Sequence, residues 1–185
     1  MKPLFIIGYM GCGKTTFGQA LSRATGKDFI DLDDYIESKV GKTIKQIFEL
    51  SGEEGFRKIE KNALIDVLGK KDVIIACGGG TPCFYDNIDV INGNGVSVWL
   101  DASVDVLHRR LTEEKGKRPL IEKLKGEELK EKIRNQLSQR MPFYSRALIK
   151  WDGELLENEN EIRENIFSFI TSYPGLGFAM TNPLL

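Results

Sequence analysis

Histidine is nearly absent: His108 is the one imidazole in 185 residues, and it is flanked by Arg109 and Arg110 on a charged stretch. That leaves no support for a histidine base or for a site built from several imidazoles. Cysteine is scarce too. Cys12, Cys77 and Cys83 are odd in number and lack C-x-x-C spacing, which excludes a disulfide framework and a thiolate zinc site and fits a reducing cytoplasm. No apolar run approaches the roughly 18 residues a membrane span needs. No charged segment with a long apolar stretch behind it opens the chain, so a cytoplasmic protein, neither exported nor embedded, is expected. The formal charge of −1 gives no global pull toward nucleic acid or anionic membrane, and any basic site must be local.

What is there alternates. "PLFIIG" (3–8), "DFID" (28–31), "DVIIAC" (72–77), "VSVWL" (96–100) and "ALIKW" (147–151) read as five strands. Helical patterns lie between them, and no repeat or Pro/Ser-rich linker interrupts the series. Such alternation predicts a three-layer α/β/α domain on a five-stranded parallel sheet, with ligands at the carboxyl ends of the strands. Thr43 with Gln46 and Ser51 with Glu54 have capping-box spacing, predicting a short helix over 44–50 and a longer one over 52–68. The charged segment 112–128 holds Gly116, Pro119 and Gly126 with weak periodicity and is the candidate mobile loop. The amphipathic helix after it is expected to end near Pro142, and the tail from Pro174 has no legible role.

The strongest motif is "GYMGCGKTT". Gly8, Gly13, Lys14 and Thr15 satisfy G-x-x-x-x-G-K-[ST] between a strand and a helix, the context in which backbone N–H groups cradle phosphates. Lys14 adds a point charge, and the Thr15 hydroxyl is placed for a Mg²⁺ bridging nucleotide phosphates. Asp31 and Asp33 fall where the second strand ends. One can hold Mg²⁺ or its waters and the other can accept from a substrate hydroxyl, although Asp33 could equally cap the next helix. Arg57 admits a surface salt bridge, with Glu60 one turn on as a partner. Three glycines, Gly78, Gly79 and Gly80, suit a backbone that a ligand touches, or a bare turn. Arg118 and Arg140 are ambiguous singly.

Together "GYMGCGKTT", "FIDLDDYIE", "GEEGFRKIE", "CGGGTP", "KRPL" and "RMPFY", in this order, resemble the shikimate kinase family over residues 4 to 151. The resemblance implies a P-loop fold like that of nucleoside monophosphate kinases, in one domain over 1–172, with a lid at about 112–126 and a tail over 173–185. It implies transfer of the ATP γ-phosphoryl group to the 3-hydroxyl of shikimate, with Mg²⁺, by a monomer that binds neither nucleic acid nor membrane. By resemblance Gly11, Cys12, Gly13, Lys14, Thr15 and Thr16 cradle the ATP phosphates, with Lys14 offsetting charge in the transition state. Thr15 binds Mg²⁺ with help from Asp31. Asp33, Arg57, Gly79 and Arg140 match shikimate-binding positions, with Gly78 and Gly80 beside them. Arg118 matches a lid arginine over the phosphates, and Arg110 one that lies against adenine.

One departure is an acidic loop after the fifth strand, "WDGELLENENE", where several members place Arg and Pro near adenine. The competing expectations are a kinase for gluconate or a nucleoside monophosphate, and a GTP-dependent switch or ATP-driven binding module. Against the switch stand the missing N-K-x-D and the missing D-x-x-G after the third strand. Against a nucleotide acceptor stands the pairing of Arg57 and Arg140 with Asp33, which suits a small polyhydroxy acid.

Overall fold

The computed structural model describes residues 2–113, 126–178 and 180. Five strands, β1 (Leu4–Ile7), β2 (Asp28–Asp31), β3 (Val73–Ala76), β4 (Val96–Asp101) and β5 (Ile149–Asp152), form one sheet. Every pairing is parallel, and the order is β2-β3-β1-β4-β5. All residues of β1 and β3 are buried, as expected for central strands covered on both faces. Each large apolar side chain fully removed from water there contributes roughly 1.5–3 kcal/mol.

Among the described residues six α-helices lie between the strands, α1 (Lys14–Thr25), α2 (Leu32–Val40), α3 (Ile44–Leu68), α4 (Asn87–Asn94), α5 (Val104–Glu113) and α6 (Gly126–Tyr144), and α7 (Glu159–Ser172) follows β5. The chain moves outward from β1 to β2, then back through β3 and on to β4 and β5. Right-handed crossovers therefore put α1 on one face and α2 to α6 on the other, and α7 returns to pack on α1. The neighbouring strands β1 and β3 send their following connections in opposite directions, so a crevice opens beyond their carboxyl ends. Both glycine-rich stretches lie there.

Thr43 and Gln46 do form a capping box, and Gly52 (φ 64°, ψ −174°) breaks α3 where two helices were expected. Ser51, however, does not open the second one. Its hydroxyl donates back to the Ile47 carbonyl at 2.7 Å, so the break comes from glycine rather than from a second box. α6 runs two residues past Pro142, to Tyr144. Phe178 of the expected tail is buried and tilts against Phe169, which ties this stretch to α7. Of the predicted lid, residues 114–125, Arg118 among them, lie outside the described residues. Among the described residues no helix is long and apolar enough to cross a membrane.

Candidate active site

The loop after β1 is shaped by glycine at three positive angles that side chains rarely adopt, Gly8 (φ 141°), Gly11 (φ 80°) and Gly13 (φ 95°). A Cβ at Gly8 would also stand 2.6 Å from the Leu100 carbonyl oxygen. Gly13 is the N-cap of α1 with no side-chain cap, so the first N–H groups of the helix face the loop. The Lys14 ammonium reaches back across it, donating to the carbonyls of Gly8 (3.0 Å) and Tyr9 (2.9 Å). A fixed cation and a helix N-terminus thus share one mouth.

Asp31 settles which aspartate caps α2. Its Oδ1 accepts from the Asp33 N–H at 3.0 Å, so Asp33 lies inside the first turn and its carboxylate is not the cap. The other oxygen, Oδ2, accepts from the Thr15 hydroxyl at 2.8 Å. Thr15 and Asp31 therefore bring two hard oxygen donors together beside the phosphate loop, the donor type Mg²⁺ takes when phosphates and waters complete its shell.

Beyond β3 the backbone carries no side chains because side chains from elsewhere occupy the space. A Cβ at Gly78 would lie 2.9 Å from Glu60 Oε1 and 3.1 Å from Asp33 Oδ1. At Gly79 it would lie 3.1 Å from the Met10 nitrogen and 3.5 Å from Arg140 Nη1, and at Gly80 2.7 Å from Arg57 Nη2. Each glycine thus admits a different polar group.

Arg57 is no surface arginine. It is buried, donates to Glu60 Oε2 at 2.8 Å and to Glu53 Oε1 at 3.1 Å, and its guanidinium lies 3.9 Å from the centroid of Phe84. Glu60 is 1% exposed and also accepts from the Thr81 hydroxyl at 2.6 Å. Burying that carboxylate is tolerable only because both its oxygens are paired. Among the described residues two donors are left over: Arg57 Nε and Arg140 Nη1 are buried and meet no hydrogen-bond partner there. Both arginines bear on Cys83, where each favours the thiolate. Burial outweighs them, and the thiol is pushed up to about 11. At the end of β3 burial, first, and then Glu60 push the Cys77 thiol up, and Lys14, Asp33 and Asp31 also act on it. Phosphate-side and acceptor-side groups thus converge on one crevice.

The Arg110 side chain sits between α5 and the loop after β5. It donates to the Gly153 and Glu154 carbonyls, both at 2.8 Å, and pairs with Glu157 at 2.7 Å, strapping α5 to the loop after β5. The acidity of that loop is thereby partly accounted for: Glu157 answers Arg109 and Arg110, and Glu154 accepts from the Ser103 N–H at 2.7 Å. Leu156 packs on the phosphate loop, within 2.6 Å of a Cβ built at Gly13. His108 bonds the Gly126 carbonyl at 3.1 Å, away from these groups. Three contributors were not singled out from the sequence: Tyr9, Phe84 and Tyr144. Their signal, an aromatic beside a glycine-rich or arginine motif, is too common to stand out alone.

A phosphate loop with its lysine and Thr–Asp pair, opposite an arginine-lined pocket at the switch point of a parallel sheet, defines a P-loop kinase acting on a small acceptor. Residues 10–171 match the family model described as shikimate kinase. A shikimate kinase from Parabacteroides distasonis is 45% identical over 164 residues, covering 89% of this chain and 95% of that protein. The crystal structure of shikimate kinase from Bacteroides thetaiotaomicron superposes with a TM-score of 0.90 at 39% identity, covering 94% of this chain and 98% of that one. Shikimate kinase from Acinetobacter baumannii, solved in complex with shikimate, superposes with a TM-score of 0.82 at 31% identity over 95% and 94% of the two chains. The chain belongs to the shikimate kinase family.

Proposed function

We propose that this chain transfers the γ-phosphoryl group of ATP to the 3-hydroxyl of shikimate in this crevice. The observation that carries the acceptor assignment is the pair of buried arginine N–H groups left unpartnered among the described residues, Arg57 Nε and Arg140 Nη1, beside Gly79 and Gly80. Buried donors without acceptors are costly, and a carboxylate satisfies two guanidinium groups at once. Asp33, against Gly78, accepts hydrogen bonds from ring hydroxyls and receives the proton as the hydroxyl oxygen attacks phosphorus. The bond from γ-phosphorus to the bridging oxygen breaks, and ADP leaves with that electron pair.

Phosphoryl transfer asks for alignment and charge neutralisation more than covalent help. Lys14 and the α1 N-terminus meet the charge on the phosphates. Thr15 and Asp31 would hold Mg²⁺, which screens the β- and γ-oxygens when bound. Arg118 is assigned to the lid side of this clamp by resemblance, and Arg110 to the adenine side. A monomer is assigned by the family resemblance, and a cytoplasmic setting is in keeping with the free thiols of Cys12, Cys77 and Cys83.

The test is ADP release with ATP and Mg²⁺ and either shikimate, gluconate or CMP as acceptor. Turnover with shikimate well above the other two is expected, and turnover without preference for shikimate would sink the assignment.

A further inference from the structure

The side chain of Tyr9 serves the other half of the site from its backbone. Its carbonyl accepts from Lys14 inside the phosphate loop. Its ring, 1% exposed, lies under the Arg140 guanidinium at 5.3 Å from centroid to Cζ, and its hydroxyl donates to Gln136 Oε1. Gln136, Arg140 and Tyr144 follow one another at four-residue steps on one face of α6. At the far end of that stripe Tyr144 donates at 2.6 Å to the carbonyl of Gly79, the glycine whose Cβ would lie 3.5 Å from Arg140 Nη1. Arg140 is thus held against a ring on the phosphate loop, with Nη1 left over among the described residues.

We propose that Tyr9 is a positioning residue for Arg140. An arginine free to sample its rotamers loses that freedom when it grips an anion, and a cation held in advance over an aromatic face has lost it already. Tyr9 thereby strengthens capture of the acceptor carboxylate without touching it, and does so from the loop that binds the donor. This role rests on the reading that Arg140 binds the carboxylate. Packing alone would ask only for an apolar side chain of this volume, and would leave unexplained why the hydroxyl and the ring face both meet groups of one α6 stripe.

The experiment is steady-state kinetics on Tyr9→Leu, Tyr9→Phe, Arg140→Lys and the Tyr9→Leu/Arg140→Lys double variant. Tyr9→Leu should raise the shikimate KM about tenfold, the scale of one desolvated cation–ring contact, with the ATP KM little moved. Tyr9→Phe keeps the ring face and should return the shikimate KM to within about threefold of wild type, the scale of one neutral hydrogen bond. In the double variant the loss should not exceed that of Arg140→Lys, because the ring then has no guanidinium to hold. Should Tyr9→Leu not fold, Tyr9→Met fills the space without a ring face and carries the same expectation.

A shikimate KM raised by Arg140→Lys but unmoved by Tyr9→Leu overturns the positioning role alone. Equal rises in both KM values, or an additive double variant, do the same. An unmoved shikimate KM in Arg140→Lys overturns the acceptor reading itself, and this role with it.

Discussion

The two sides of the crevice are built by different means. The phosphate side is backbone: Gly8, Gly13 and the first turn of α1 lie within one stretch of chain, and its polar side chains, Lys14 and Thr15, are half-buried or exposed. The acceptor side is side chain: Arg57 and Glu60 from α3, Asp33 from α2 and Arg140 from α6 meet at glycines after β3. Fixed backbone dipoles need little burial to be held in place. Long charged side chains do, and the burial of Arg57 and Glu60 makes that part of the acceptor side continuous with the core. Function and stability should therefore separate on one side and be joined on the other.

Arg57→Ala tests the joined side and should have the largest effect. It leaves Glu60 buried with one oxygen unpaired, a defect that costs about 3–5 kcal/mol of stability. The acceptor contact is lost as well, so the shikimate KM should rise far more than the ATP KM. Urea denaturation and steady-state kinetics on the same preparation measure both. A variant as stable as wild type would mean that the ion pair is structurally idle, and equal KM changes would remove Arg57 from the acceptor site.

Lys14→Met tests the separable side. Loss of a charge aimed at the transferring group should lower kcat by about 10²–10³-fold. Stability should stay within about 1 kcal/mol, because the ammonium is half-buried and meets two loop carbonyls and the Cys12 sulfur rather than a buried carboxylate. Calorimetric titration should find shikimate binding little changed. A Lys14→Met protein destabilised as much as Arg57→Ala would erase the contrast between the two sides.

The same contrast decides what could be read before the fold was known. The five strands and the phosphate loop are written locally: "PLFIIG" is an apolar run ending in glycine, and Lys14 and Thr15 follow at fixed spacing. The break in α3 was legible at 50–52, but its cause was Gly52 rather than Ser51, since a hydroxyl can turn back to i−4 as readily as forward to a cap. Asp31 and Asp33 could not be told apart by sequence, because either can cap a helix that begins just after it, and the sequence does not fix the first helical residue. The acceptor side was legible only as a resemblance. Nothing local to Arg57 says that Phe84 will cover it, or that Gly80 is small so that its guanidinium fits, because those partners lie more than twenty residues away and meet only through the sheet. Tyr9 was hidden by its own motif, whose chemistry lies in its backbone and sets no demand on that side chain.

The smallest effect expected is at Cys83, and it asks which force rules on the acceptor side. Arg57 and Arg140 stabilise a thiolate there, whereas burial penalises it, and the balance pushes the thiol up to about 11. The unfolded chain ionises the thiol first, near the free-thiol value of about 8.5. Below that value the group leaves stability unchanged with pH, and between there and about 11 stability falls as pH rises, because only the folded state still holds the proton. Alkylation by iodoacetamide, followed at this cysteine by peptide mass spectrometry, should be slow at neutral pH and rise with pH to a midpoint near 11. A midpoint near the free-thiol value of about 8.5 would show that the two guanidinium groups cancel the burial penalty. The acceptor pocket would then be governed by its charges, as the phosphate side is, and not by its desolvation.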